Sequence, residues 1–400
     1  MFRNFGLFFF FFSLLQSVAV KAQNLPDSFR VVTWNLEWWG AGSSTNAGLQ
    51  VSKTETLLTT INADFYGFQE VVNTDSFVNL VNRLPGGPWA SVVSPYGSAA
   101  PNPQSPNYPS AQKLAFMYRP SQFRNVRSRA FINGHPYAYG DFASGRYPML
   151  VEGELKCSDH SWRPMAFIVL HAKAMSDNSS CNRREEGAYL LKDSLDRKFR
   201  GKDFLILGDF NDDLDTSICN DRTFGAYDNF VRDSVGPYSY NCLTLPISLA
   251  GERSSDRYPS LIDHFIASRP FARHYVGGSA RSLRSLANAT VTSYTSDVSD
   301  HYPVQTTFYR PASALSVENP FQNETLYAVF PNPVQSRLQV KGLSAPAAFG
   351  VIDLSGRTVL AGVLDATQPS FSVEKLSPGT YLLQLSVQGA PAQWLRFVKE

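Results

Sequence analysis

Between Asn35 and His301, a series of short apolar runs each leads into a residue able to ligate a metal, move a proton or hold an anion. The fullest is Phe204-Leu205-Ile206-Leu207-Gly208-Asp209-Phe210-Asn211. Asp209 and Asn211 stand two apart, so in extended backbone they face one side and can share one substrate. Gly208 permits close backbone approach beside them. Val31-Val32-Thr33-Trp34-Asn35-Leu36-Glu37 supplies an amide that can ligate a hard cation or orient a carboxylate. Phe65-Tyr66-Gly67-Phe68-Gln69-Glu70 ends in a carboxylate that is costly to bury unless paired or metal-bound. Ile168-Val169-Leu170-His171 ends in an imidazole that near neutral pH can donate to a phosphate oxygen or a leaving group. Arg146, in Ser144-Gly145-Arg146-Tyr147-Pro148, carries a guanidinium fork suited to a phosphate.

The last segments are Leu261-Ile262-Asp263-His264-Phe265 and Ser299-Asp300-His301-Tyr302-Pro303-Val304. A buried Asp beside a His raises its basicity and fixes its tautomer. His301 is the better partner for Asp263, because His264 follows Asp263 directly in a strand and should point to the opposite face. Taken singly, each residue has an ordinary reading: a turn Asn, a surface Glu, a surface ion pair, a satisfied core His. Their number and order argue for a shared site at strand ends, where layered α and β folds gather their chemistry.

The elements that must position these residues are strands over 29–34, 65–68, 115–118, 165–170, 204–207 and 261–267, and helices over 49–61, 76–84 and 183–199. In the last helix Ala188, Leu191 and Leu195 recur at helical spacing, which predicts a face packed on a sheet. Residues 94–110 and 245–258, rich in Pro, Ser, Asn, Gly and charges, read as loops.

The ordered set resembles the endonuclease/exonuclease/phosphatase superfamily, most specifically in Gly208-Asp209-Phe210-Asn211 and Ser299-Asp300-His301-Tyr302-Pro303-Val304. The resemblance implies a four-layered α/β sandwich, two mixed β-sheets flanked by helices, with Mg²⁺ (or Mn²⁺ or Ca²⁺) at one end. It implies metal ligation by Glu70, helped by Asn35 and Asp300, and a water oriented or deprotonated by Asp209. Asn211 and Arg146 would hold the phosphate, while His171 and the Asp263–His301 pair stabilise the transition state and protonate the leaving oxygen. One position departs from the pattern: apurinic endonucleases often carry Asp two residues after the Asn, and here it is Glu37, which reaches the metal or faces solvent.

The chain of 400 residues is globular in composition, 43% hydrophobic and 18% charged, with a net charge of +2 that favours no polyanionic partner by itself. Residues 1–22 read as a cleaved secretory signal peptide, too short to span a bilayer stably. Cys157, Cys181, Cys219 and Cys242 then read as disulfides, with Cys157–Cys181 and Cys219–Cys242 preferred for their modest loops. Residues 23–310 form the catalytic domain, 311–325 a linker and 326–400 a small all-β sandwich without His or Cys. That tail resembles the C-terminal sorting domain of type IX secretion cargo in Bacteroidota, through Tyr327-Ala328-Val329-Phe330-Pro331-Asn332-Pro333, Val351-Ile352-Asp353-Leu354-Ser355-Gly356-Arg357 and Leu376-Ser377-Pro378-Gly379-Thr380-Tyr381. The resemblance implies engagement of the type IX machinery and export through periplasm and outer membrane, to the cell surface or beyond. The bland alternative is a carbohydrate-binding or adhesive β domain.

Three functions remain open for this monomer. A nuclease on extracellular DNA or RNA is favoured by His171, Arg146 and the basic stretch 124–129, which could follow a phosphate backbone. A sphingomyelinase-like lipid phosphodiesterase or small-molecule phosphatase is the alternative, with Trp38, Trp39 or the 94–110 loop meeting a membrane. A surface binding protein that only retains the fold comes third. There is no GxSxG elbow, HExxH helix or P-loop.

Overall fold

The computed structural model describes residues 27–41, 47–312, 327–343, 345–353, 357–387 and 393–400; the expected signal peptide and nearly all of the expected linker lie outside them. The chain divides into two compact units, Met1–Ser313 and Ala314–Glu400.

The first unit runs β1 (Ser28–Trp39), α1 (Ala47–Ile61), β2 (Phe65–Val71), α2 (Thr74–Arg83), β3 (Ala90–Gly97), β4 (Lys113–Tyr118), β5 (Phe123–Ala130), α3 (Ala138–Asp141), β6 (Met149–Lys156) and β7 (Trp162–His171). It continues α4 (Asn178–Lys198), β8 (Phe204–Asp209), α5 (Asp228–Arg232), β9 (Tyr240–Cys242), α6 (Leu245–Leu249), β10 (Asp263–Ser268), α7 (Arg269–Ala272), β11 (Arg281–Ser282), α8 (Arg284–Thr290), α9 (Tyr294–Asp297) and β12 (Val304–Tyr309). Two six-stranded sheets result, ordered β11-β12-β1-β2-β4-β3 and β5-β6-β7-β8-β10-β9. Both are mixed: β1–β2 and β7–β8 are parallel, and their neighbours antiparallel.

The central strands are apolar on both faces because both are covered. Phe65, Phe116, Phe167, Val169, Leu205 and Leu207 interdigitate between the sheets, with Phe65 and Phe167 stacked at 5.1 Å between ring centroids. Leu57, Leu58, Phe77 and Tyr294 cover the outer face of one sheet, and Ala188, Leu191 and Leu195 cover the other, as the helical spacing predicted. The architecture is the expected four-layered sandwich. α4 begins at Asn178, earlier than expected, because the Asp177 carboxylate caps it by accepting the Ser180 N–H at 3.0 Å.

Several expectations need correction. The 245–258 stretch is not all loop, since Leu245–Leu249 form the short helix α6 with Pro246 in its first turn. The basic stretch 124–129 is largely β5, at a sheet edge, where Arg124 pairs with Glu154 and Arg129 with Glu152, both half-exposed. Trp39 is fully buried, packed edge-on to Phe77, whereas Trp38 is 43% exposed. Cys181 bonds to Cys219, while Cys157 and Cys242 are free thiols, so neither preferred pairing forms. Cys157 follows β6 and precedes β7, whereas Cys181 lies past the far end of β7; a ten-residue strand separates them by roughly 30 Å.

The second unit packs a three-stranded and a four-stranded antiparallel sheet, β13 (Ala328–Phe330), β14 (Arg337–Lys341), β15 (Ala347–Ile352), β16 (Thr358–Leu364), β17 (Ser370–Ser372), β18 (Gly379–Val387) and β19 (Gln393–Lys399). Val334, Leu338, Val351, Leu383 and Phe397 form its core.

Candidate active site

Strand register brings the chemistry together. His171 ends β7 directly opposite Asp209 of β8, and Asp209 lies opposite Asp263 of β10. Directly paired residues share a sheet face, so the three side chains form one row across three strands. Gly208 is required here: a Cβ on it would lie 2.0 Å from the Leu170 carbonyl oxygen. The other sheet contributes Asn35, and Glu70 after an irregularity in the β1–β2 pairing. Glu37, Trp38, Glu70 and Asn211 all hold positive φ, between 46° and 61°, a cluster of backbone strain of the kind that collects at functional sites.

Asn35 Nδ2 donates to Asp209 Oδ2 at 2.9 Å and to Glu70 Oε1 at 3.2 Å. Glu70 Oε2 accepts the Trp38 N–H at 2.9 Å. Asp209 Oδ1 accepts the Asn211 N–H at 2.8 Å. Its Oδ2 also faces His171 Nε2 at 3.4 Å and His301 Nε2 at 3.8 Å. His301 Nδ1 is 2.8 Å from Asp263 Oδ2. Ser299 ties this end to β1, donating to the Asn35 carbonyl at 2.7 Å and accepting the His301 N–H at 3.0 Å. His264 points the other way, to Thr244 and the Asp212 carbonyl.

Burial sets the protonation states. Asp209 is pushed up to about 6 by desolvation and the Asp263 charge, against the His301 charge and the Asn35 and Asn211 hydrogen bonds. Glu70 is raised by desolvation, partly offset by the charge of Arg146. His301 lies well above the usual histidine value; burial alone would lower it, but Asp263 and Asp209 outweigh burial. His171 is held well below by desolvation, Arg146 and His301, hence neutral. The two histidines therefore differ in charge near neutral pH.

Arg146 reaches the site but is buried, with Nη1 donating to Gln112 and Nη2 to the Ala172 carbonyl. Its charge acts on Glu70 and Asp209, and while Nη1 and Nη2 each hold a partner within the protein, Nε is buried without one. Glu37 neither faces solvent nor stands free: it is 8% exposed and pairs with Arg257, which also pairs with Asp300. Arg257, Gln112 and Ser299 join the site without being among the expected residues. An Arg in an aperiodic loop carries no signal of its destination, although Ser299 lies inside a motif already singled out.

The donor chemistry fits a hard divalent cation. Glu70 and Asp209 each turn a carboxylate oxygen to the Asn35 Nδ2, the Asn35 Oδ1 accepts the Glu37 N–H at 3.0 Å, and Asp263 Oδ1 is buried without a partner. Ligand atoms of Asp209, Asp263 and His301 lie within 4.8 Å of one another.

The sequence matches the Endonuclease/Exonuclease/phosphatase family over residues 32–301, a span that contains every one of these residues. The chain belongs to that family. Membership carries phosphoric ester hydrolysis as its reaction class. The tail matches the secretion system C-terminal sorting domain over 328–399, which supports secretion or cell-surface export. No curated protein sequence matches the chain. Among solved structures, an endonuclease/exonuclease/phosphatase from Beutenbergia cavernae DSM 12333 is similar at 11% identity and a TM-score of 0.51, over 93% of this chain and 100% of that one, and shows the same fold. The human Nocturnin catalytic domain with bound sulfate (16% identity, 71% of this chain and 95% of that one, TM-score 0.47) and the Xenopus laevis APE2 catalytic domain (14%, 72% and 94%, 0.48) are also similar. Among the described residues no helix is long and apolar enough to cross a membrane.

Proposed function

We propose that this family member is a secreted, divalent-metal-dependent phosphodiesterase acting as a nuclease on extracellular DNA or RNA. The observation that carries the reading is the Asp209 carboxylate, held by Asn35 from the opposite sheet and flanked by a neutral His171 and a charged His301. Glu70 and Asn35 would hold the cation, which supplies Lewis-acid stabilisation of phosphate charge. Asp209, near 6, can accept a proton from the attacking water at neutral pH. Asn211 orients the scissile phosphate. His301, kept protonated by ionised Asp263, donates to the leaving oxygen, and neutral His171 donates a hydrogen bond to a non-bridging oxygen. Arg146 contributes fixed positive charge from behind the site.

Residues 23–310 are the catalytic domain in this reading, and the tail directs type IX export. Plasmid nicking with Mg²⁺, with and without chelator, tests the activity. Intact DNA and RNA alongside hydrolysed sphingomyelin or a small phosphoester would defeat the nuclease reading. The half-exposed Trp38, whose N–H binds Glu70, is what favours the lipid alternative, since an apolar ring at the rim suits a membrane surface.

A further inference from the structure

Glu37 and Asp300 are bridged by a cation of the chain itself. Arg257 Nη2 lies 2.7 Å from Glu37 Oε1, and Nε lies 2.6 Å from Asp300 Oδ2. The two residues are also tied directly, the Asp300 backbone N–H donating to Glu37 Oε2 at 2.9 Å. The backbone that presents Arg257 is stitched to the catalytic segments. Ser255 bridges to His301, the Asp256 N–H donates to the Asp300 carbonyl at 2.7 Å, and the Tyr302 N–H donates to the Ser254 carbonyl at 2.7 Å. Ser254 Oγ accepts the Asp263 N–H at 3.0 Å.

The side-chain exposures are graded. Glu37 is 10% exposed, Asp300 15% and Arg257 66%, so the guanidinium closes the carboxylate pair from the solvent side. A planar, permanently charged fork satisfies two carboxylates at once, which a point charge of the same sign does less well. Glu70 is different: its partners are the Asn35 amide, the Trp38 N–H and a neutral histidine, and it has no ion pair with an Arg or Lys among the described residues.

We propose that Arg257 is a positioning residue that takes the place of a second divalent cation at Glu37 and Asp300, confining metal binding to the Glu70 and Asn35 side. This rests on the metal-dependent reading of the site. Arg257→Ala leaves Glu37 and Asp300 without their cation and is expected to melt lower than the wild type, so circular dichroism first confirms that it is folded at the temperature of the titration.

Titration of the full chain with Mn²⁺, read by calorimetry and by electron paramagnetic resonance of free ion, gives the test. The expected stoichiometry is one ion for the wild type and for Arg257→Lys, two for Arg257→Ala, and none for Glu70→Ala. Two ions in the wild type, or an unchanged single ion in Arg257→Ala, overturns the proposal. Binding by Arg257→Ala alone would uphold the role of Arg257 and defeat the assignment of Glu70. Binding by neither would defeat both.

Discussion

Asn35 and Asp209 belong to different sheets, and the Asn35 amide joins them by donating to the Asp209 carboxylate at 2.9 Å. The same nitrogen reaches Glu70, so one side chain sets the spacing of two carboxylates that would otherwise repel. Asn35→Ala is expected to slow plasmid nicking at least about a hundredfold, the usual cost of removing one preorganised polar group. Asn35→Asp should be worse still, because it places a third carboxylate there. Nicking by Asn35→Asp at the wild-type rate would sink this view of the site.

His301 depends on Asp263 for its charge, and Asp263 is fully buried. His301→Ala should cost about 2.7–4 kcal/mol of transition-state stabilisation, at least roughly a hundredfold in rate. Asp263→Asn keeps the shape and removes the ionised partner, so it should lower kcat and shift the alkaline limb of the pH–rate profile toward neutrality. An unmoved limb would show that Asp263 is not what keeps His301 protonated.

Gly208 lies where β8 touches the Leu170 carbonyl. Gly208→Ala has no flexible neighbour to yield and should destabilise the catalytic unit by at least about 2 kcal/mol. Denaturant unfolding of the variant measures this, and a midpoint equal to the wild type's would contradict the packing described.

Cys181–Cys219 fastens the start of α4 to the loop after β8, closing a sequence separation of 38 residues. Replacing both residues by Ala should cost about 2–4 kcal/mol. Non-reducing peptide mapping should link these two peptides, with the buried Cys157 alkylating only after denaturation. A peptide joining Cys157 to Cys242 would be the contrary result.

His264 is buried and pushed down to about 4 by desolvation. Its folded value lies below the unfolded value of about 6.5, so the stability it contributes is complete above pH 6.5 and is lost as pH falls through 4. The effect amounts to at most about 3 kcal/mol. His274, also near 4, acts in the same direction, so the comparison must be between His264→Gln and wild type. The variant should lose less stability between pH 7 and 4; parallel curves would refute the assignment.

The residues of the candidate site were legible one by one, because strand ends, the Asp209 and Asn211 spacing and the opposite faces of Asp263 and His264 follow from local backbone geometry. The layered fold was legible too, from apolar runs alternating with helical spacing. Partnership across long sequence separations was not. The pairing of Cys181 with Cys219, the burial of Trp39 and the neutralised Arg124 and Arg129 depend on which strands become neighbours, and local pattern carries no such information. Nor could the sequence show that Arg146 would donate to Gln112 and the Ala172 carbonyl, or that Arg257 would settle between Glu37 and Asp300. An ion pair forms wherever the fold brings opposite charges within reach, and only the tertiary structure decides which charges those are.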